Sequence, residues 1–158
     1  LKYIQRGISL VNGVTSSHKR KGGAWKLSVS GDLKGIKVMV IDDSNTIRKS
    51  AEIFLVQAGC QVLVAEDGFD ALAKIADHHP AVIFCDILMP RLDGYQTCAL
   101  IKKNPRFAST PVIMLSSKDG LFDRARGRMV GSDEYLTKPF TKESLIKTVA
   151  AHAVGTAA

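Results

Sequence analysis

Residues 36–44 read IKVMVIDDS, an apolar-rich run that ends abruptly on two carboxylates and a hydroxyl residue. A strand with one wet face would alternate polar and apolar residues, so Ile36 to Ile41 has the pattern of a strand covered on both faces. Ser44 then caps a helix in which Ile47, Ala51, Phe54, Leu55 and Ala58 recur at helical spacing, and Gly59 ends it.

The same pair of patterns recurs downstream. Strands are expected at Gln61–Ala65, Ala81–Cys85, Val112–Leu115 and Glu134–Thr137. The helices between them run through Leu72, Ile75 and Ala76, from about Gly94 to Lys102, from about Asp119 to Met129, and, after a cap at Thr141, through Leu145, Ile146 and Val149. Alternating strands and helices predict an α/β protein with a five-stranded parallel sheet, because parallel neighbours need a helical crossover and crossovers are right-handed. Helices then cover both sheet faces.

Upstream of Gly35 this rhythm is missing. Residues 1–34 are punctuated by Gly7, Gly13, Gly22, Gly23 and Gly31 around a Ser, Lys and Arg cluster, and are expected to form a flexible basic extension. The formal charge of +7 is concentrated there: seven basic residues face Asp32 alone, and the remainder of the chain is close to neutral. A globular nucleic-acid-binding face is therefore not expected, nor specific DNA binding by the extension, which holds only Tyr3 and Trp25 as stacking aromatics. The chain begins with Leu1 rather than Met, so the extension reads as a fragment, an alternative start or sequence upstream of the true start. Residues 35–152 are expected to be one domain and 153–158 a short tail.

No stretch approaches the run of roughly 18 apolar residues that spans a membrane, and no secretory leader is evident, so no membrane insertion and a cytoplasmic location are expected. Cys60, Cys85 and Cys98 lie among apolar neighbours without metal-ligand spacing and are expected to be buried reduced thiols. His78 and His79 are expected at a solvated helix end.

The chemistry lies just past the strands. Asp42 and Asp43 follow the first, Asp86 the third, Ser116 the fourth and Lys138 the fifth. In an open parallel sheet these carboxyl ends border one crevice. Any one such acid is ordinarily a helix cap or a solvated loop residue, but three in one crevice repel one another and raise each other's pKa values unless a cation is present. A hard divalent ion such as Mg²⁺ suits that donor set, with Asp43 and Asp86 as direct ligands, Asp42 direct or through water, and the backbone carbonyl of Leu88 as a further oxygen. Asp86, after the central strand, is the expected nucleophile for phosphoryl transfer, with Lys138 pairing one phosphoryl oxygen and Ser116 another. Drawing Ser116 inward would vacate space for the aromatic ring of Tyr135, which makes a two-state switch. Pro139 after Lys138 admits either peptide isomer.

The strings VMVIDDS, FCDILMPRLDGYQ, PVIMLSSKD and YLTKPF resemble, in order and spacing, the signatures of response-regulator receiver domains over roughly Gly35 to His152. That resemblance implies a doubly wound (βα)5 fold of the flavodoxin-like, CheY-like kind and a stand-alone phosphoreceiver of a two-component phosphorelay. It implies phosphorylation of Asp86 by a CheA-like histidine kinase or its phosphotransfer domain, followed by autodephosphorylation. It places the acidic pair on Asp42 and Asp43, the hydroxyl on Ser116, the aromatic switch on Tyr135 and the lysine on Lys138. The further strings DGFDALAKIADHHP and SSKDGLFDRARGRMVGSDEYLTKPF are similar to the receivers of the chemosensory pathway that controls type IV pili and twitching motility. This implies a downstream pilus-motor or signalling partner. Arg124 and Arg128, four residues apart, share a helix face on the surface where the resemblance puts output, while Arg126 points elsewhere.

Four rival readings are weighed against this one. A DNA-binding regulator would need an effector domain, and the chain stops just after the fifth helix. An Asp-nucleophile phosphatase would carry a second acid two residues after the nucleophile, where Leu88 stands. A chemotaxis-type receiver of another pathway shares every motif, and a phosphorylation-independent adaptor would not need the complete acceptor set.

Overall fold

In a computed structural model, residues 33–117 and 121–156 are described, so the basic segment 1–32 lies outside the described residues. Five strands, β1 (Lys37–Ile41), β2 (Gln61–Ala65), β3 (Val82–Asp86), β4 (Val112–Ser116) and β5 (Glu134–Thr137), alternate with five helices. These are α1 (Asn45–Gln57), α2 (Gly68–His78), α3 (Gly94–Lys103), α4 (Leu121–Met129) and α5 (Lys142–Thr156). All strands are parallel in the order β2-β1-β3-β4-β5. The chain thus winds outward in one direction from β1 and in the other from β3, and the crevice between these two is where ligands sit in such sheets.

The double burial read from the sequence is realised residue by residue in β1. Val38 and Val40 join a core on one face with Leu55 of α1 and Leu145 of α5, while Met39 and Ile41 join a second core with Ile75 of α2 and Ile101 of α3. All eight are 0–1% exposed, so each stabilises the fold by about 1.5–3 kcal/mol relative to an exposed position. Cys60, Cys85 and Cys98 are buried free thiols, as expected. Burial pushes Cys60 and Cys98 up to about 11 and Cys85 well above its usual range, which keeps all three protonated and unreactive.

Helix ends explain where several acids go. Asp67 accepts the Asp70 N–H at 2.8 Å at the start of α2, and Asp93 and Gln96 form a reciprocal capping box on α3. Ser44 caps α1, and Thr141 accepts the Ser144 N–H at 3.0 Å ahead of α5, both as read from the sequence. His78 and His79 are exposed at the end of α2, where His79 takes a left-handed conformation with φ of 50°.

Three limits differ from expectation. Asp86 and Ser116 are the last residues of β3 and β4 rather than the first beyond them, because Asp86 stays in register with Leu115 and Ser116 with Thr137. In α2 it is Ala71, not Ala76, that is buried with Ile75. Packing also reaches beyond residues 35–152: Leu33 and Ala153 are both buried in the α1–α5 core, and α5 continues to Thr156.

Gly94, the first residue of α3, lies directly against β3. A Cβ there would collide with the carbonyl oxygen and carbon of Asp86 and with the Cα of Ile87, all of them backbone atoms with little freedom to move. Gly94→Ala is expected to lower stability by about 2–4 kcal/mol in urea unfolding, and to displace the Asp86 amide in ¹⁵N spectra.

Candidate functional site

The parallel register assembles the site. Ile41 of β1 is paired with Cys85 of β3, so the next residues along, Asp42 and Asp86, lie side by side, with Asp43 one step further out. Asp42 is fully buried, Asp86 is 4% exposed and Asp43 is exposed. Carboxylate oxygens of the three lie within 4.8 Å of one another. Ser44 donates its N–H to Asp42 Oδ1 at 2.8 Å, and Arg48 donates to the Asp42 carbonyl at 2.6 Å, so the turn after β1 is pinned by its own helix.

Lys138 reaches in from the end of β5. Its N–H donates to the Ser116 carbonyl at 2.6 Å, extending the sheet by one rung, and the peptide between Lys138 and Pro139 is cis. Its ammonium donates to Asp86 Oδ1 at 2.9 Å and to Asp42 Oδ2 at 3.3 Å. Ser116, the last residue of β4, is 5% exposed, and its hydroxyl donates to Asp123 Oδ2 at 3.4 Å.

These residues border one open cleft of about 390 Å³, lined by Asp42, Asp43, Asp86, Leu88, Ser116 and Lys138, among others. Leu88 stands at its mouth, 74% exposed. Tyr135 is half-buried on β5 behind this lining, with the Arg124 guanidinium 5.3 Å from its ring centroid. Every side chain named from the sequence as a ligand or phosphoryl contact therefore converges on the cleft, whereas Tyr135 is not part of its lining and packs against the second core.

Two residues escaped the sequence reading. Asp123, in the first turn of α4, also lines the cleft, and Tyr95 of α3 donates its hydroxyl to the Asp123 carboxylate and carbonyl, both at 3.3 Å. An acid in the first turn of a helix ordinarily reads as a favourable partner of the helix dipole, and nothing local marks it as aimed at a sheet end. Burial, then the Asp123 charge and hydrogen bond, push the Tyr95 phenol up to about 12.

The charge balance decides what the cleft can hold. Burial raises the Asp86 carboxyl to about 6, and the neighbouring Asp42 and Asp43 charges add to this, against the lowering effect of Lys138. For Lys138, burial acts downward, but the bond to Asp86 and the charges of Asp42 and Asp86 outweigh it and raise the ammonium above its ordinary value. One ammonium thus leaves three clustered carboxylates undercompensated, and an all-oxygen donor set of that spacing fits a hard divalent cation.

The response regulator receiver domain family matches residues 38–150. Protein PilG of Pseudomonas aeruginosa is 72% identical over 118 residues, which cover 75% of this chain and 87% of that protein. Protein PilH of the same organism is 36% identical over 119 residues, covering 75% of this chain and 98% of the relative. Among solved structures, chemotaxis protein CheY4 of Vibrio cholerae aligns with a TM-score of 0.72 at 33% identity, over 75% of this chain and 98% of that one. The Francisella response regulator 1452 receiver domain aligns at 0.71 and 36% identity, over 77% and 99%.

Because the Asp86 carboxyl is raised from 3.8 to about 6, the fold favours its protonated form. Its contribution to the stability of the metal-free protein is fully present below about pH 4 and is lost as pH rises through about 6. Asp86→Asn is therefore expected to melt higher than the unaltered protein at pH 8 in EDTA, by about 1–3 kcal/mol, with the gap closing toward pH 4. By the same competition, Mg²⁺ affinity measured calorimetrically should weaken as pH falls below about 6.

Proposed function

This chain belongs to the response-regulator receiver family, and on that premise we propose that it is a phosphorylation-operated switch whose acceptor is Asp86. The observation that carries the reading is the placement of Asp86 beside Asp42 and Asp43 and 2.9 Å from the Lys138 ammonium, all lining one cleft. A carboxylate held there has an open side for an incoming phosphorus atom and cationic groups to receive the charge that develops on the phosphoryl oxygens.

In the transfer, a carboxylate oxygen of Asp86 attacks the phosphorus of a phosphohistidine. The P–N bond breaks as the P–O bond forms, and the imidazole leaves. Asp42, Asp43, Asp86 and the Leu88 carbonyl are the groups that would hold Mg²⁺, which when bound supplies the positive charge that lets a phosphoryl group approach three carboxylates. Lys138, already 2.9 Å from Asp86, exchanges this partner for a phosphoryl oxygen. The Ser116 hydroxyl turns to another, and Tyr135 moves into the space it leaves. Water attack on the same phosphorus later breaks the acyl phosphate bond, returning the carboxylate and inorganic phosphate.

The phosphodonor is proposed to be a CheA-like histidine kinase or its phosphotransfer domain, and the output a pilus-motor or signalling protein of a twitching-motility pathway. The 72% identity to PilG supports this assignment, since it extends well beyond the phosphoacceptor motifs that all receivers need. Arg124 and Arg128, both exposed on α4, would give the proposed output surface a basic character.

Intact mass before and after incubation with acetyl phosphate and Mg²⁺ is expected to show one added phosphoryl group. Asp86→Asn should add none, and neither should the unaltered protein in EDTA. Continuous release of phosphate from unrelated esters, or full labelling of Asp86→Asn, would contradict the acceptor reading.

A further inference from the structure

A fourth carboxylate borders the cleft, and it bridges two hydroxyls that belong to different elements. Asp123 Oδ2 accepts from Ser116 on β4 at 3.4 Å, while Oδ1 and the main-chain carbonyl of Asp123 face the Tyr95 hydroxyl on α3 at 3.3 Å. Tyr95 is also held by a second residue of the same helix: it is 5% exposed, and the Arg126 guanidinium of α4 lies 4.4 Å from its ring centroid.

From this geometry we propose that Asp123 is a latch that holds α4 in its unphosphorylated position and must be released when Asp86 is phosphorylated. The proposal rests on the acceptor role of Asp86 and adds a positioning residue to it. Two physical arguments require the release. A hydroxyl has one hydrogen to donate, so a Ser116 O–H given to a phosphoryl oxygen is withdrawn from Asp123. A carboxylate lining the same cleft also repels an anionic phosphoryl group. Phosphorylation and the closed latch therefore disfavour one another, and by linkage each weakens the other equally.

Release also sends the signal along a second route. When Asp123 withdraws from the cleft it loses its geometry with Tyr95, so the contact between α3 and α4 loosens together with the pairing of Ser116. Arg126 stacks on Tyr95 and Arg124 on Tyr135, so one displacement of α4 disturbs both aromatic contacts. Of the two routes, the Ser116–Tyr135 route runs along the sheet edge and the Asp123–Tyr95 route between helices.

Beryllofluoride, which occupies the phosphoryl position without chemistry, is the probe. In the full chain with Mg²⁺, Asp123→Ala is expected to bind it about tenfold tighter than the unaltered protein, and Tyr95→Phe about threefold tighter, by calorimetry or fluorine NMR. Because Tyr95 acts through Asp123, the double variant should bind no tighter than Asp123→Ala alone. A residue that merely supports the fold would lower affinity together with melting temperature. Unchanged or weaker binding by Asp123→Ala, or independent addition of the two effects, overturns the latch while leaving the acceptor reading intact. If the unaltered protein itself takes up neither beryllofluoride nor a phosphoryl group, the acceptor reading fails and the latch falls with it.

Discussion

Three carboxylates share the end of a sheet with one ammonium, and the rest of the molecule is arranged around that imbalance. Asp42, Asp43 and Asp86 are drawn together because β1 and β3 are neighbours in register, each ending on an acid, not because their charges favour it. Lys138 relieves only part of the repulsion, and its two bonds tie the end of β5 to the ends of β1 and β3 across the intervening β4. The energy held in the undercompensated cluster is what makes a cation welcome.

A rigid frame is needed to keep such a cluster from relaxing. The strands that carry it are almost wholly buried between two apolar layers, and their close-packed side chains leave no room for the sheet ends to spread. Gly94 brings the start of α3 into contact with the Asp86 backbone itself, fixing that residue from behind. By contrast, the acids at helix starts are spent on backbone donors: Asp67 and Asp93 satisfy N–H groups and take no part in the cleft.

The contacts proposed to switch lie on the β4–β5 side. Ser116, Asp123, Tyr95 and Tyr135 are linked through α4 by hydroxyl, carboxylate and aromatic contacts that are individually weak and have alternative partners. Under the proposed acceptor role, contacts of that kind would let a phosphoryl group at Asp86 select between two packings, since the difference in free energy between them need be no larger than the few contacts exchanged.

How much of this was legible in the chain follows from the range of each interaction. Strand and helix periodicity, the caps at Ser44 and Thr141, and the residues that border the cleft from strand ends were all readable, because burial patterns are local and a parallel sheet sends every strand end to the same edge. The exact ends of β3 and β4 were not, since they depend on pairing with Leu115 and Thr137 on other strands. Asp123 and Tyr95 were likewise silent. They stand 28 positions apart, a separation that carries no spacing rule, and only the packing of α3 against α4 brings a phenol to a carboxylate and that carboxylate to Ser116. The amino-acid order by itself determined the alternating architecture and the acids, hydroxyl and lysine of the cleft; tertiary structure alone decided which helix watches over them, because side-chain contacts between helices are set by distance in space and leave no period in the chain.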